Sequence, residues 1–265
     1  MGTVFKVTPS GSRAVLWSFG SGTDGNFPKS SLIQGRDGNL YGTTSGGGQF
    51  GNGTVFEITL TGTESVLWSF GSGTDGSGPE AGLVEASDGN LYGVTSFGGT
   101  QSNGTLFKLT HAGVETVLSN LPGPLGAGAT NQLIQATDGN LYGTTKFGGV
   151  HNGGALFRIT PTGDVSVLWS FGGGTDGIWP QGRLWQGTDG NLYGTTTGGG
   201  APNRSGIFYR VTLDGVETVL WSFDTSATGT SVNPMGVVQG LDGEFYGVSM
   251  YGGGAYGGTL FKIVL

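Results

Sequence analysis

The sequence predicts an all-β fold, a five-bladed β-propeller of four-stranded antiparallel blades with pseudo-five-fold symmetry. Three observations predict it: a motif at a near-constant spacing, four strand-like segments in each interval, and glycine-rich turns between them. The motif Asp-Gly-Asn-Leu-Tyr-Gly, or a close variant, recurs at spacings of 51, 50, 51 and 53 residues. Such a period is typical of a toroidal array whose units bury their apolar faces against their neighbours. The copies define repeats 1 to 5 and begin at Asp37, Asp88, Asp138, Asp189 and Asp242.

The repeat unit contains four short segments rich in β-branched and aromatic residues. In repeat 1 they are residues 32–35, 40–44, 53–59 and 65–70. Each is bounded by Gly, Pro, Asp or Asn, which favours strands over helices. The Asp-Gly-Asn sequence between the first and second segments is a tight-turn signal, because Gly and Asn accept a positive φ. We therefore interpret the five aspartates, and the Trp and Tyr residues within the strands, as scaffold.

The third-strand motif occurs six times, whereas every other segment occurs five times. The fourth-strand segment at residues 14–19 is predicted to complete the last blade, so that the N-terminal segment closes the ring. Two third-strand copies, residues 2–8 and residues 258–265, then compete for one position. One of them is expected to lie outside the sheet, which gives a monomer, or to pair with another molecule, which gives an oligomer.

The composition predicts a single domain, residues 1–265, because the repeat runs through the sequence without a linker. The 58 glycines are periodic and alternate with strand-forming residues, unlike those of collagen or disordered chains. A net charge of −7 with only 11 dispersed Lys and Arg residues argues against nucleic acid as a partner. Membrane insertion is not expected either, because no apolar run is long enough. The absence of cysteine excludes disulfides and thiolate chemistry.

Several motifs together resemble the GloVer tandem repeat of exported, surface-anchored bacterial proteins. They are Leu-Tyr-Gly-Thr-Thr, the glycine triplet, Gly-Thr-Val-Phe-Lys-Val-Thr and Val-Leu-Trp-Ser-Phe, and they cover essentially the whole chain. The placement of Asp-Gly-Asn is also similar to that in NHL-type propeller repeats. The resemblance implies a secreted or cell-surface parent protein, from which we expect this chain to be cut. It transfers no activity or catalytic residue. One fourth strand departs from the pattern with Ser119-Asn120-Leu121, and we expect it to be the weakest.

The long loops, which join the second strand to the third and one repeat to the next, are the default place for a binding site. They combine exposed aromatic rings with acidic residues, a combination typical of sugar binding, where rings meet apolar C–H faces and carboxylates meet hydroxyls. The alternative is that each ring packs between neighbouring blades. The candidate ligand-binding residues are Asp24, Phe27, Asp75, Phe97, Phe147, Asp176, Trp179 and Tyr251.

A polar residue recurs within the first strand of each repeat, opposite to its apolar neighbours. A ring of such side chains around a central channel would hold water, and its one carboxylate, Glu85, could bind a cation or polar ligand. The alternatives are a purely structural channel, or hydrogen bonds to the backbone of the adjacent blade. The candidate channel residues are Gln34, Glu85, Gln135, Gln186 and Gln239.

The sequence offers little for catalysis. A glycosidase needs two suitably spaced carboxylates, and the candidates that do not recur with the repeat are Glu80, Glu85 and Asp224. His111 and His151 have no partner at ligand spacing, so neither a metal nor another cofactor is predicted. No nucleophile elbow, phosphate loop or EF-hand loop is present.

The leading hypothesis is therefore a non-enzymatic, exported propeller that acts as a binding or display module, for a glycan or another small polar ligand. One alternative is a structural scaffold without a ligand. The other is a glycan-cleaving enzyme that uses Glu85 with Glu80 or Asp224.

Overall fold

A computed structural model describes residues 1–121, 131–201, 205–223, 234–252 and 257–265. Across these ranges the regular structure is entirely β, with 21 strands in six antiparallel sheets, which confirms the all-β prediction. Among the same residues, no helix is long and apolar enough to span a membrane. Two compact units are present, Met1–Leu121 and Pro122–Leu265. The single domain expected from the repeat stays a prediction.

The first unit contains a two-stranded sheet and the four-stranded sheets of repeats 1 and 2. The two-stranded sheet pairs β1 (Thr3–Val7) with β2 (Arg13–Ser18). Repeat 1 consists of β3 (Ile33–Gln34), β4 (Leu40–Thr44), β5 (Thr54–Ile58) and β6 (Glu64–Ser69). Repeat 2 consists of β7 (Val84–Glu85), β8 (Leu91–Val94), β9 (Thr105–Leu109) and β10 (Glu115–Asn120).

The second unit contains two four-stranded sheets and one three-stranded sheet, in which strands again follow chain order. Repeat 3 consists of β11 (Ile134–Gln135), β12 (Leu141–Thr145), β13 (Ala155–Ile159) and β14 (Val165–Ser170). Repeat 4 consists of β15 (Ile178–Gln186), β16 (Leu192–Gly198), β17 (Ile207–Val211) and β18 (Glu217–Ser222). Repeat 5 consists of β19 (Pro234–Gln239), β20 (Phe245–Ser249) and β21 (Thr259–Ile263).

Neither surplus copy of the third strand lies outside a sheet. β1 pairs with β2, with Val4 opposite Trp17, and β21 pairs with β20, with Leu260 opposite Val248. Because β1 is the hydrogen-bonding partner of β2, the structure does not confirm that the N-terminal segment completes the last blade. The six sheets likewise do not confirm a count of five blades. The fourth strand with the variant sequence, β10, has the same six-residue length as β6.

The Asp-Gly-Asn-Leu-Tyr-Gly motif forms the turn between the first two strands of each repeat, as its residues predict. Asp37 accepts a hydrogen bond from the backbone N–H of Asn39 at 3.1 Å and from the Tyr41 hydroxyl at 2.6 Å. The hydrogen bond from Tyr41 is the main reason that the pKa of Asp37 lies below its ordinary value. The tyrosine hydroxyl donates to the motif aspartate in all five repeats. The motif is thus scaffold.

This bond gives a first testable prediction, at the buried Tyr142, whose hydroxyl donates to Asp138 at 2.7 Å. Tyr142→Phe should lower the free energy of unfolding by about 2 kcal/mol, because it removes a hydrogen bond to a charged acceptor. Urea denaturation measures the change. Tyr246→Phe is the matched control, since its bond to Asp242 is open to solvent and should contribute clearly less. Equal losses in the two variants would contradict the prediction.

The core consists of apolar layers between consecutive sheets. Val55 and Phe70 of repeat 1 pack on Phe107 and Leu109 of repeat 2. In repeat 1, Val55 lies on one side of the sheet, which we call the forward face, and Phe56 and Ile58 lie on the other side, which we call the backward face. Phe107 and Leu109 are the equivalents of Phe56 and Ile58 in repeat 2. The forward face of repeat 1 therefore meets the backward face of repeat 2. The same layer joins Leu156 and Phe171 to Tyr209 and Val211, Phe208 and Phe223 to Phe245 and Ile263, and Val4 and Phe19 to Phe56 and Ile58.

Candidate functional site

The aromatic side chains predicted to bind a ligand are open to solvent in every repeat. Their exposed fractions lie between 40% and 59%, although fully buried phenylalanines are common elsewhere in the chain. The rings therefore do not fill the layers between sheets. They are Phe27 in repeat 1, Phe97 in repeat 2, Phe147 in repeat 3, Trp179 in repeat 4 and Tyr251 in repeat 5.

Two different segments supply these rings to one position of the repeat, either the residues before the first strand, which in repeat 4 lie at the start of β15, or the glycine-rich segment after the second strand. In repeat 1, Phe27 comes from the loop before the first strand. Its neighbour Asn26 forms an isolated β-bridge with Gly46, which belongs to the glycine-rich loop opposite. In repeat 2 the assignment is reversed, because Phe97 stands in the glycine-rich loop and Gly78 precedes the first strand.

The ring lies close to the glycine that faces it. A Cβ atom added to Gly78 would lie 3.2 Å from the Phe97 ring, and one added to Gly198 would lie 3.2 Å from the Trp179 ring. A side chain at either glycine would therefore press on the ring and shift it by a few tenths of an ångström. In repeats 3 and 5 the facing loop lies outside the described residues.

The residue that Gly78 represents in repeat 2 has a backbone conformation that favours glycine, yet repeats 1 and 4 place a large aromatic residue there. Gly78 has a φ of 62°, and Phe27 and Trp179 have φ angles of 57° and 60°. A left-handed conformation costs an L-residue about 1–2 kcal/mol. Since Phe27 and Trp179 remain exposed, burial recovers little of this cost. Strain that burial does not offset is typical of functional positions.

Glycines bring the two loops close enough to share this position. A Cβ atom on Gly47 would lie 2.6 Å from the Cα atom of Gly25, and Gly98 and Gly199 approach the preceding loop in the same way. Polar groups border the rings, since the Ser45 hydroxyl donates to the Phe27 carbonyl and the Thr197 hydroxyl donates to the Trp179 carbonyl, each at 3.2 Å. Each of these two exposed rings thus belongs to a residue whose backbone carbonyl is held by a side-chain hydroxyl.

The three loop aspartates proposed as ligand acceptors are more than nine-tenths buried. Asp24 accepts from the Trp17 indole N–H at 3.2 Å and from the backbone N–H groups of Gly20 and Ser21 at 3.0 Å. Asp75 and Asp176 make the equivalent bonds with Trp68 and Trp169. Both carboxylate oxygens are thus used inside the loop. The carboxylates therefore hold their own loops, and the ligand-acceptor role of the three aspartates stays a prediction.

Sequence reasoning missed three glutamates that begin fourth strands. In Glu64, Glu115 and Glu217, the Oε1 atom is buried without a hydrogen-bond partner. Burial raises the pKa of each glutamate to about 7, and the negative charge of the aspartate in the loop before the same repeat adds to the effect. The three acid pairs are Glu64 with Asp24, Glu115 with Asp75, and Glu217 with Asp176.

The sequence does contain a signal for these pairs. Glutamate begins the fourth strand in repeats 1, 2 and 4, where the fourth strand that comes before the repeat has a Trp and the loop after that strand has an Asp seven residues later. At these two positions before repeat 3 the sequence has Ser119 and Gly126 instead, and the fourth strand of repeat 3 begins with Val165. Glutamate and the Trp-Asp pair therefore occur together within the chain.

One acid pair lines a cavity of about 590 Å³ in the second unit, together with Trp169 and His151. A cavity of about 730 Å³ surrounds the equivalent Trp68 in the first unit. A carboxyl group that retains its proton near neutral pH, beside a second carboxyl group, is an arrangement used in acid–base chemistry. Here it recurs with the repeat, and Asp176 is engaged by its own loop, so we interpret it as part of the scaffold.

Three of the polar side chains predicted to line a channel accept hydrogen bonds from the backbone of the neighbouring repeat. Gln186 Oε1 accepts from the backbone N–H of Thr137 at 2.9 Å, and Gln239 Oε1 accepts from that of Thr188 at 3.0 Å. Glu85 accepts from the Arg36 N–H at 2.9 Å in the same way. The side-chain amide also donates to the motif glycine of its own repeat in Gln34, Gln135, Gln186 and Gln239.

The carboxylates considered for catalysis each have a separate partner. Glu80 forms an ion pair with Lys29 at 2.6 Å, and Glu85 lies 3.4 Å from His111 Nε2. His111 Nδ1 lies 2.8 Å from the Tyr41 hydroxyl. Asp224 lies outside the described residues. Within the described ranges, no group of three or more His, Cys, Asp or Glu side chains is placed to hold a metal ion.

Comparisons with known proteins support the fold. The sequence model of a family described as the Gloeobacter/Verrucomicrobia repeat matches residues 1–127 and 84–265. No curated protein matches the sequence. Similar solved structures are a streptogramin B lyase, a virginiamycin B lyase from Staphylococcus aureus and a periplasmic gluconolactonase from Pseudomonas aeruginosa.

The likeness to these structures extends over most of each chain at low sequence identity. The streptogramin B lyase is 16% identical, with a TM-score of 0.63 over 98% of this chain and 72% of its own. The virginiamycin B lyase is 17% identical, with a TM-score of 0.57 over 90% and 71%. The gluconolactonase is 13% identical, with a TM-score of 0.57 over 98% and 78%. At this identity the likeness shows the fold alone, that of β-propeller-like repeat proteins.

Proposed function

The chain belongs to the Gloeobacter/Verrucomicrobia repeat family, and from this membership and the exposed rings we propose that it is a non-enzymatic module that binds carbohydrate. The observation that carries the proposal is the exposed aromatic ring at this one position of each repeat, supplied from either of two segments of the repeat. Phe27 and Trp179 keep this placement despite a left-handed backbone.

The surroundings of the rings favour a neutral, polar ligand with apolar faces. Aromatic rings stack on the C–H faces of sugars, and nearby hydroxyl and amide groups hydrogen-bond their hydroxyls. Ser45 and Thr197 border the rings of repeats 1 and 4 in this manner. A net charge of −7 disfavours anionic ligands. A glycan therefore fits the site better than a phosphorylated metabolite or a nucleic acid.

We propose further that the parent protein is exported, which the periplasmic location named for one structural neighbour supports. The closed five-bladed ring remains a prediction. The competing functions are a ligand-free scaffold and a glycan-cleaving enzyme that uses Glu85 with Glu80 or Asp224. Glycan binding separates a binding module from a ligand-free scaffold.

Trp179→Ala is expected to weaken binding of a responsive glycan about tenfold, because it removes the ring on which the apolar C–H face of the sugar stacks, and stacking of a flat ligand on one aromatic side chain is worth about 1–3 kcal/mol. A glycan array identifies the responsive sugar, and isothermal titration calorimetry measures its affinity. Trp221→Ala is the matched control, since Trp221 is 56% exposed, against 40% for Trp179, and lies in the fourth strand, away from the ring position. The absence of any glycan binding, or equal losses in the two variants, would contradict the proposal.

A further inference from the structure

Two sheet faces that correspond to buried layers elsewhere are uncovered. On the forward face of β19–β21, Leu260 is 76% exposed, whereas Val55 at the equivalent position of repeat 1 is 0% exposed. Val248 on the same face is 53% exposed, and its equivalent Thr43 is 2% exposed. Together with Val238 these residues line an apolar groove of about 340 Å³.

The backward face of the β1–β2 sheet is uncovered in the same way. Phe5 and Val7 are 52% and 55% exposed, whereas their equivalents in repeat 1, Phe56 and Ile58, are fully buried. The guanidinium of Arg13 lies 4.7 Å from the centre of the Phe5 ring. The opposite, forward face of this sheet is in use, since Val4 packs in the layer with Phe56.

The repeats themselves show what covers such faces. In each apolar layer within the two units, a forward face packs on the backward face of the next sheet, as Phe208 packs on Phe245 and Ile263. The uncovered face of β19–β21 is a forward face, and the uncovered face of β1–β2 is a backward face. They are the two complementary halves of the layer that the chain already forms several times. Exposed apolar patches of this kind are typical of association surfaces.

We propose that these two faces bind each other between copies of this chain, in a head-to-tail manner. The forward face of β19–β21 in one copy packs on the backward face of β1–β2 in a second copy. Such a contact is heterologous, so it leaves one forward and one backward face free on each dimer and continues to longer assemblies or a closed ring of copies. It is a packing of faces, distinct from the pairing of strand edges.

The test uses two variants that each disable one face. Phe5→Asp disables the backward face and Leu260→Asp disables the forward face; both side chains are exposed, so both variants should fold. Leu241→Asp is the control, because Leu241 is fully exposed in the motif turn of repeat 5, outside both faces. Circular dichroism checks folding, and sedimentation velocity over a dilution series measures the mass.

The wild-type chain and the control should assemble with increasing concentration, and each face variant alone should remain monomeric. A mixture of the two face variants should form a dimer that does not grow, because Phe5→Asp retains the forward face and Leu260→Asp retains the backward face. Its dissociation constant should be at least about tenfold lower than that of either variant alone. A wild-type chain that stays monomeric, which is the result expected if the ring closes within one chain and covers both faces, overturns the proposal, as does a mixture that does not dimerise.

Discussion

Replacing Glu64, Glu115 and Glu217 by glutamine is expected to stabilise the chain at about pH 8 and to change little at about pH 5. Burial, followed by the nearby aspartate, raises the pKa of each glutamate from 4.5 to about 7. Glutamine has nearly the same shape, carries no charge and adds a donor beside the aspartate. It therefore removes the cost of ionising a partly buried carboxyl group.

The sign of the pH dependence follows from the proton count. Below about pH 4.5 the three carboxyl groups are protonated in both the folded and the unfolded chain. Between about pH 4.5 and pH 7 the unfolded chain releases these protons before the folded chain does, so the free energy of unfolding falls as the pH rises. The shift would correspond to about 3 kcal/mol per group, and solvent screening of these half-buried side chains reduces it to about 1 kcal/mol each.

The motif aspartates act in the opposite direction. The hydrogen bond from the Tyr41 hydroxyl lowers the pKa of Asp37. In Asp138 burial raises the pKa, but the hydrogen bonds from Tyr142 and Asn140 outweigh it, so the pKa is again lowered. Their contribution to stability is present above about pH 4 and is lost as the pH falls. We therefore expect maximal stability near pH 5, with a decline on both sides.

Urea denaturation of the triple variant and the wild-type chain across this pH range measures the effect. The triple variant should be more stable by about 3 kcal/mol at alkaline pH, and its stability should be nearly independent of pH above about pH 5. Glu80→Gln is the control, because it removes only a surface ion pair with Lys29. A wild-type stability that does not decline between about pH 5 and pH 8 would refute the acid-pair interpretation.

Moving the ring of repeat 1 from one loop to the other is expected to preserve ligand binding and to stabilise the chain. Asn26→Ser, Phe27→Gly and Gly46→Phe together give repeat 1 the residues that repeat 2 has at Ser77, Gly78 and Phe97. Glycine then occupies the left-handed position, which should raise the free energy of unfolding by about 1 kcal/mol.

The matched control is Phe27→Gly alone, which removes the ring from this position of repeat 1 and leaves Phe50 unchanged. It should gain the same stability but lose binding of the responsive glycan at repeat 1, whereas the triple variant should retain it. Calorimetric titration and urea denaturation of the two variants give both quantities. If the triple variant binds no better than Phe27→Gly, the position of the ring is not what the ligand recognises.

Much of the scaffold could be predicted from the sequence. The Asp-Gly-Asn turns, the strand segments and the all-β class depend on local preferences, such as the tolerance of Gly and Asn for positive φ. The exposure of Phe27 was also predicted, because loop-forming residues on both sides leave its ring nowhere to be buried, whereas Trp179, predicted to lie in a loop, lies at the start of β15 and is exposed there. Such features require no knowledge of how sheets contact one another.

Other features depend on the direction of side chains and on contacts between repeats. Asp24, in a loop of polar and glycine residues, gave no sign that its carboxylate turns inward to the Trp17 indole. The acid pairs were missed because Glu64 and Asp24 are far apart in sequence and meet only when two sheets stack. Trp221 is more exposed than its equivalents, and the adjacent sheet β19–β21 has no fourth strand among the described residues.

The placement of the ring separates valency from the number of repeats. Gly46 and Gly78 each face a ring in their own repeat, so a repeat with glycine at both of these positions would carry no ring there. Such a repeat would keep its turn, strands and apolar layers but would be blank for the ligand. Avidity depends on how many sites engage at once. An array of these repeats can therefore adjust its avidity by gaining or losing single rings while its length and fold stay constant.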